Sequence, residues 1–574
     1  MRRHGGWTSA RLLGVVAGCF ALAFTGCVAV PTSGPVERHS PAAQQADSGV
    51  EIAPVPPAQN ATPGLIVEGF LHAMATYQEG YSVARQFLTP AAGEQWRPET
   101  GVEIYAGGYP PQVSESGVVL TAPLVGRLDG QGTFTPASTQ YHHDFGLMRD
   151  ADGQWRISQP PRGLLISQSL FSSTWVRADV CFWDATGTVL VPDPRFVQKG
   201  TLGMAASVRA LLVGPSLANR AAYRAPLDPQ LEIASVTLGA NGVVAVDLTG
   251  DVDRVTVEAR RKLTAELVWS LASLEGVAGV RVRGNDALWE VGGSAGTVTT
   301  ADFAQGAPTP QTTSDQVFVV RGGALQRLAW SSPQSEPQPV GPELNRLGAI
   351  AARADALEVA AVTDGGTRVR GVAVREGAAR VMLSGRGLAS VHYTRQGELL
   401  VVVDGVRNTP LRMLRDGREV VVDAAGLPGG RIRALAMAPD GVRVALVVEG
   451  QGGAVLGVAA ITRSAEQIGF VGWRELSGAS WAPASQPPID VGWSSPADLL
   501  VLLGGDATPH VVRVDSEGAM ATDVGPTDSV AKAQLAVGAD SRAALRGSDG
   551  QTWRFVDEFT WEPWLPKVQQ VSLP

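Results

Sequence analysis

Cys27 is the residue whose surroundings most plainly specify a reaction. It follows Thr25-Gly26 and an uncharged, mostly apolar run from Leu12 to Phe24, itself preceded by Arg2, Arg3 and Arg11. A short basic start, an apolar core of about a dozen residues and small residues before the cut form a secretion signal. A cysteine placed directly after that cut offers a thiolate for diacylglyceryl transfer and, once the signal is removed, an amino group for acylation. The position three before the cysteine, usually aliphatic, is Phe24 here. The apolar run is shorter than the ~20 residues of a spanning helix, whereas two or three acyl chains hold a protein on a membrane for long times. The expectation is a signal peptide over residues 1–26, N-acyl and S-diacylglycerol lipidation at Cys27, and a chain held on the extracytoplasmic face of the cell membrane. The alternative is an ordinary signal peptide and a soluble secreted product.

Other combinations could do chemistry but lack the right setting. His142-His143-Asp144 contains metal-ligand types, yet adjacent strand residues point to opposite faces and seldom chelate together. Gly292-Gly293-Ser294-Ala295-Gly296 spells G-x-S-x-G. A hydrolase elbow needs a strand before it and a helix after it, and residues 297–310 have no helical period, so Ser294 reads as part of a hinge. Cys19 leaves with the signal and Cys27 takes lipid, so Cys181 has no disulfide partner, and its neighbours Val180, Phe182 and Trp183 suit a packing cysteine. Asp355, Asp440 and Asp540 are the acids that a glycan-acting enzyme would use, but they fall at repeating turns, where aspartate serves turn geometry. H-E-x-x-H, phosphate-loop and calcium-loop patterns are missing from the sequence. No catalytic residue, metal ligand or cofactor is therefore expected. The formal charge of −8 becomes three units more negative when the three signal arginines leave, which argues against a nucleic-acid partner.

The elements that must position these residues fall into four regions. Residues 27–62 are the lipidated cysteine and a tether rich in Pro, Ala, Ser and Gln, too polar to bury a core and spanning roughly 30 Å. Residues 63–170 begin with Thr62-Pro63 and the helical series Ile66, Phe70, Met74 and Tyr77. A second helix covers 82–88, and strands follow over 118–125, 133–147 and 155–157. Helices before a curled antiparallel sheet resemble, in element order, the nuclear-transport-factor-like cone. Residues 175–291 alternate strands and helices, with Asn241-Gly242 between two apolar runs as a hairpin signal. Residues 292–314 form a linker. In residues 315–574, positions 355, 396, 440, 497 and 540 recur at intervals of 41, 44, 57 and 43, each a turn between an apolar strand and the next. A period near 40–45 residues of strand marks a β-propeller, here of about six blades, with a β-sandwich array as the alternative. The long interval suggests an insertion around 482–488, in which Trp481-Ala482-Pro483 would be exposed. Tryptophan is enriched at interface hot spots, so Trp481 is the candidate partner contact.

Two resemblances add to this. Leu211-Leu212-Val213-Gly214-Pro215, Leu231 to Val236 and Val243 to Leu248 resemble the GerMN domain of exported bacterial proteins. The whole order of parts, from lipidation signal and tether through the two α+β domains to the propeller, resembles the actinobacterial LpqB lipoprotein family. That resemblance implies a partner, the extracytoplasmic domain of an MtrB-like sensor histidine kinase. It also implies an influence on phosphorylation of the regulator MtrA, and so on cell-wall homeostasis and division. A passive scaffold in envelope assembly and a glycan-acting envelope enzyme are the rival readings.

Overall fold

The computed structural model describes residues 54–574 apart from 115–116, 225–229, 293–295, 311–312, 406–409, 477–480, 483–484, 506–509, 527–530 and 558. Cys27, the tether up to residue 53 and Ser294 lie outside the described residues.

The first helix, Pro63–Ala75, starts on a proline at N1, where a missing N–H costs nothing. It buries Ile66, Val67, Phe70 and Met74. The helix ends before Tyr77, which is exposed, so the last member of the sequence series lies outside it. The long strand Gly117–Leu128 alternates Val118, Leu120, Ala122 and Leu124 inward, the period of a sheet with one buried face. Five shorter strands surround it, including Val102–Tyr105 and Leu164–Ser167, which pair in parallel. The expected strand over 133–147 is broken into Phe134–Pro136, Gln140–Asp144 and the start of Leu147–Arg149.

In the second domain, Trp175–Trp183 and Leu190–Gln198 form a nine-pair antiparallel ribbon. A second sheet runs in the order Leu231–Leu238, Val243–Gly250, Gly279–Gly284, Ala287–Leu288, its middle pair parallel. The helices Thr201–Val213 and Val257–Leu271 pack with these strands, and Leu263, Leu267 and Leu271 enter the core. The strand Leu190–Gln198 tolerates Pro192 and Pro194 because it pairs with a single strand, so neither proline interrupts a second ladder. Its residues serve two cores: Leu190, Val191 and Val197 belong to the second domain, while Phe196 joins Phe134 and Phe171 of the first.

The rest is a propeller of six four-stranded blades. The innermost strands of blades two to six are Ile350–Ala352, Leu388–Tyr393, Arg431–Met437, Pro488–Trp493 and Lys532–Val537. The recurring positions 355, 396, 440, 497 and 540 all sit in the turn leaving these strands. Blade one is closed by the far end of the chain: Val568–Ser572 pairs with Gln316–Arg321 as its inner strand. The Gln534 side chain seals the junction, donating to the Val571 carbonyl (3.1 Å) and accepting from the Val571 N–H (3.2 Å). Closure removes the open edge that a linear stack of blades would expose. Blades three and four are also joined along their outer edges by the parallel pairing of Val421–Asp423 with Gln467–Gly469. The long 440-to-497 interval includes the long strands Gly453–Arg463 and Gln467–Glu475 as well as the loop after them.

Pro54–Pro574 form one compact unit, and the propeller docks on the second domain through the turns that leave its inner strands. Arg177 donates to the Ala497 carbonyl at 2.7 Å. Arg395 donates to the Ala307 carbonyl at 2.6 Å, and Val442 and Ala460 of blade four belong to the second domain's core.

Candidate functional site

The side chains singled out in the sequence do not converge. His142 and His143 take opposite faces of their strand: the His142 Nδ1 meets Thr121 Oγ1 at 2.9 Å and the His143 Nε2 meets the Gln159 carbonyl at 2.9 Å. Among the described residues, no group of three His, Cys, Asp or Glu side chains could hold a metal ion. Cys181 is buried, with its N–H donating to Ser270 Oγ at 2.8 Å. Burial and the neighbouring Asp179 push its thiol well above the usual range, opposite to what a nucleophile needs.

The three aspartates organise their own turns. Asp355 Oδ1 accepts from the Leu357 N–H at 2.9 Å, and Asp440 Oδ1 accepts from Val442 (2.7 Å) and Arg443 (2.9 Å). Each also holds an arginine of its turn: Arg353, Arg443 and Arg542 lie 2.7–2.8 Å from Asp355, Asp440 and Asp540. Trp481 corrects the expectation of an exposed segment. It is half-buried against a cluster that includes Leu456, Leu476, Val491 and Trp493. An indole covers a large apolar area, and here that area closes the gap between blades four and five. Pro483 lies outside the described residues.

The inner strands line a central channel of about 350 Å³. Its walls combine small residues such as Ala351, Ala436, Gly492 and Ala536 with polar and charged ones, among them Ser390, His392, Asp490, Arg433, Gln534 and Arg546. Ser390 Oγ and His392 Nε2 are 2.9 Å apart, and burial pulls the imidazole down to about 4, so it is neutral at pH 7. No hydrogen bond to the His392 Nδ1 is seen among the described residues, so the third member of a catalytic triad is missing there. Asp490 accepts the N–H groups of Leu535 (2.8 Å) and Val491 (2.9 Å), and burial raises it to about 6.

What sequence reading missed is the burial of charged groups at the domain junction. Asp193 takes hydrogen bonds from Arg195, Ser216 and Asn219, each at 2.9 Å, and the Asp193 and Arg195 side chains are 3 % and 0 % exposed. Asp440 and Arg443 are 0 % and 4 % exposed. The Arg443 guanidinium also donates to the Pro496 carbonyl and lies 4.9 Å from the centre of the Trp493 ring. Each pair lies within one part, Asp193–Arg195 in the second domain and Asp440–Arg443 in blade four, and keeps its charges compensated where the neighbouring part excludes water.

Three family models cover the folded parts in turn: "Lipoprotein LpqB, N-terminal domain" over residues 56–172, "Sporulation and spore germination" over 179–287, and "Lipoprotein LpqB beta-propeller domain" over 323–566. Lipoprotein LpqB of Cutibacterium acnes is 30 % identical over 96 % of this chain and 97 % of its own length. The chain belongs to the LpqB lipoprotein family. Lipoprotein LpqB of Streptomyces avermitilis is 28 % identical, again over 96 % of this chain and 97 % of its own length. Among solved structures, TolB from Acinetobacter baumannii aligns with 60 % of this chain and 98 % of its own at a TM-score of 0.36 and 13 % identity. Family members are named as lipoproteins, and among the described residues no helix is long and apolar enough to cross a membrane.

Proposed function

We propose that this LpqB-family protein is anchored by lipids on Cys27 to the extracytoplasmic face of the cell membrane, where it binds and modulates the outer domain of an MtrB-like sensor histidine kinase. Through that kinase it influences cell-wall homeostasis and division. The observation that carries a binding role is the docking of the propeller on its neighbour through one set of turns, which leaves the loops of the opposite face to meet a partner. Function on propellers resides in such loops, held by a rigid frame. Trp481, packed between blades, is less suited to supply a hot spot than an exposed tryptophan. The test is reconstitution of the lipidated protein with the full-length kinase in liposomes. A change in autophosphorylation, lost when the lipidated protein is left out, is the expected result. Unchanged autophosphorylation with the two proteins in one bilayer would favour a passive scaffold.

A further inference from the structure

The second domain contains a cleft of about 850 Å³, within the range of sites that enclose small ligands. One wall is apolar: Leu212 and Val213 at the end of Thr201–Val213, Leu231 and Ile233 on the edge strand, and Leu263. The other wall is charged. Arg224 Nη1 and Lys262 Nζ approach one point, 3.0 and 3.5 Å from where a side chain on Gly187 would begin. Lys262 is paired with the exposed Glu258 at 3.1 Å, while the exposed Arg224 guanidinium has neither a hydrogen bond nor an ion pair among the described residues. Glu266 lies behind them, accepting the Trp183 N–H at 3.2 Å. Burial pushes Glu266 up to about 8 against the pull of Arg224 and Lys262, so it is largely neutral at pH 7. Arg209 and Glu232 are the remaining charged groups among the described residues of the lining, so three cations there, Arg209, Arg224 and Lys262, face Glu232 and Glu258.

We infer that this cleft binds a small amphiphilic anion, with a carboxylate or phosphate head on Arg224 and Lys262 and an aliphatic body against Leu212, Val213 and Ile233. A guanidinium matches either head through paired N–H donors, and the apolar wall rewards a chain that the head alone would lack. Repulsion from the two cations disfavours an ammonium amphiphile of the same length.

The experiment titrates the full mature chain carrying Cys27→Ser, so that no detergent is needed, with decanoate, decyl phosphate, inorganic phosphate and decyltrimethylammonium below their micelle concentrations, followed by calorimetry. One saturable site is expected for decanoate, decyl phosphate or both, and their ratio identifies the preferred head. Inorganic phosphate and the ammonium compound should bind at least ten-fold more weakly. Arg224→Ala and Val213→Asp, both at exposed positions, should each weaken the anions about ten-fold or more while thermal unfolding stays unchanged. Equal binding of the cation, no saturable binding of either anion, or undiminished binding by folded Arg224→Ala would overturn the assignment.

Discussion

Removing the Arg443 side chain should loosen the whole body rather than one turn. In the native protein Asp440 Oδ2 receives Arg443 Nε at 3.0 Å and Nη2 at 2.8 Å, with both side chains almost fully buried. Val442, beside them, packs into the second domain's core. In Arg443→Ala, Asp440 Oδ1 keeps its two backbone N–H donors, but Oδ2 is left as a buried, uncompensated charge. Breaking a buried pair from one side costs about 3–5 kcal/mol; the lost contact with Trp493 adds about 1–2 kcal/mol. At roughly 2 °C per kcal/mol, the low end for larger domains, melting should fall by about 8–14 °C. Calorimetry would read the shift, and a second transition would show the propeller separating from its neighbour. The double variant Asp440→Asn with Arg443→Met should recover much of the loss, because it leaves no orphan charge in the junction. Melting of Arg443→Ala within 1 °C of the parent would refute the argument, since it would mean that water or another group compensates Asp440.

Gly472 has φ +67°, and a side chain there would begin 2.3 Å from the Ala218 carbonyl. Gly472→Ala should therefore cost about 2 kcal/mol or more and raise hydrogen exchange across the junction in blade four and around residues 214–220. Glu266 keeps its proton up to about pH 8 when folded, against an ordinary value of 4.5. Unfolding therefore releases a proton between those values, and stability falls as pH rises through this window by at most about 1.4 kcal/mol per unit. Glu266→Gln should lessen that slope, leave stability near pH 4 unchanged and raise it at pH 9, as urea titrations at several pH values would show. Cys27→Ser should abolish incorporation of labelled palmitate and release the protein from membranes; label still entering the variant would refute lipidation at that residue.

Local sequence determined the features whose causes are local. Asn241-Gly242 sets a hairpin because Gly242 takes φ +75° with no steric penalty, and the strand pair Leu231–Leu238 and Val243–Gly250 follows from it. The turn aspartates were legible as turn residues, since Asp355 and Asp440 bond N–H groups two or three positions on. Spacing of the turns revealed the blade repeat because every blade solves the same packing problem. Tertiary structure alone decided what depends on residues far apart in the chain. The closing strand Val568–Ser572 carries no local sign that its partner is Gln316–Arg321. Asp193, Arg195, Asp440 and Arg443 look like ordinary solvated charges until two domains exclude water from around them. Trp481 is apolar enough either to bind a partner or to fill a gap, and its neighbours in blades four and five settle where it lies. The cleft that joins Arg224 and Lys262 to Leu212 and Ile233 draws on two helices, an edge strand and a loop. No window of sequence contains it, because burial is a property of the packed chain and not of any residue's neighbours along it.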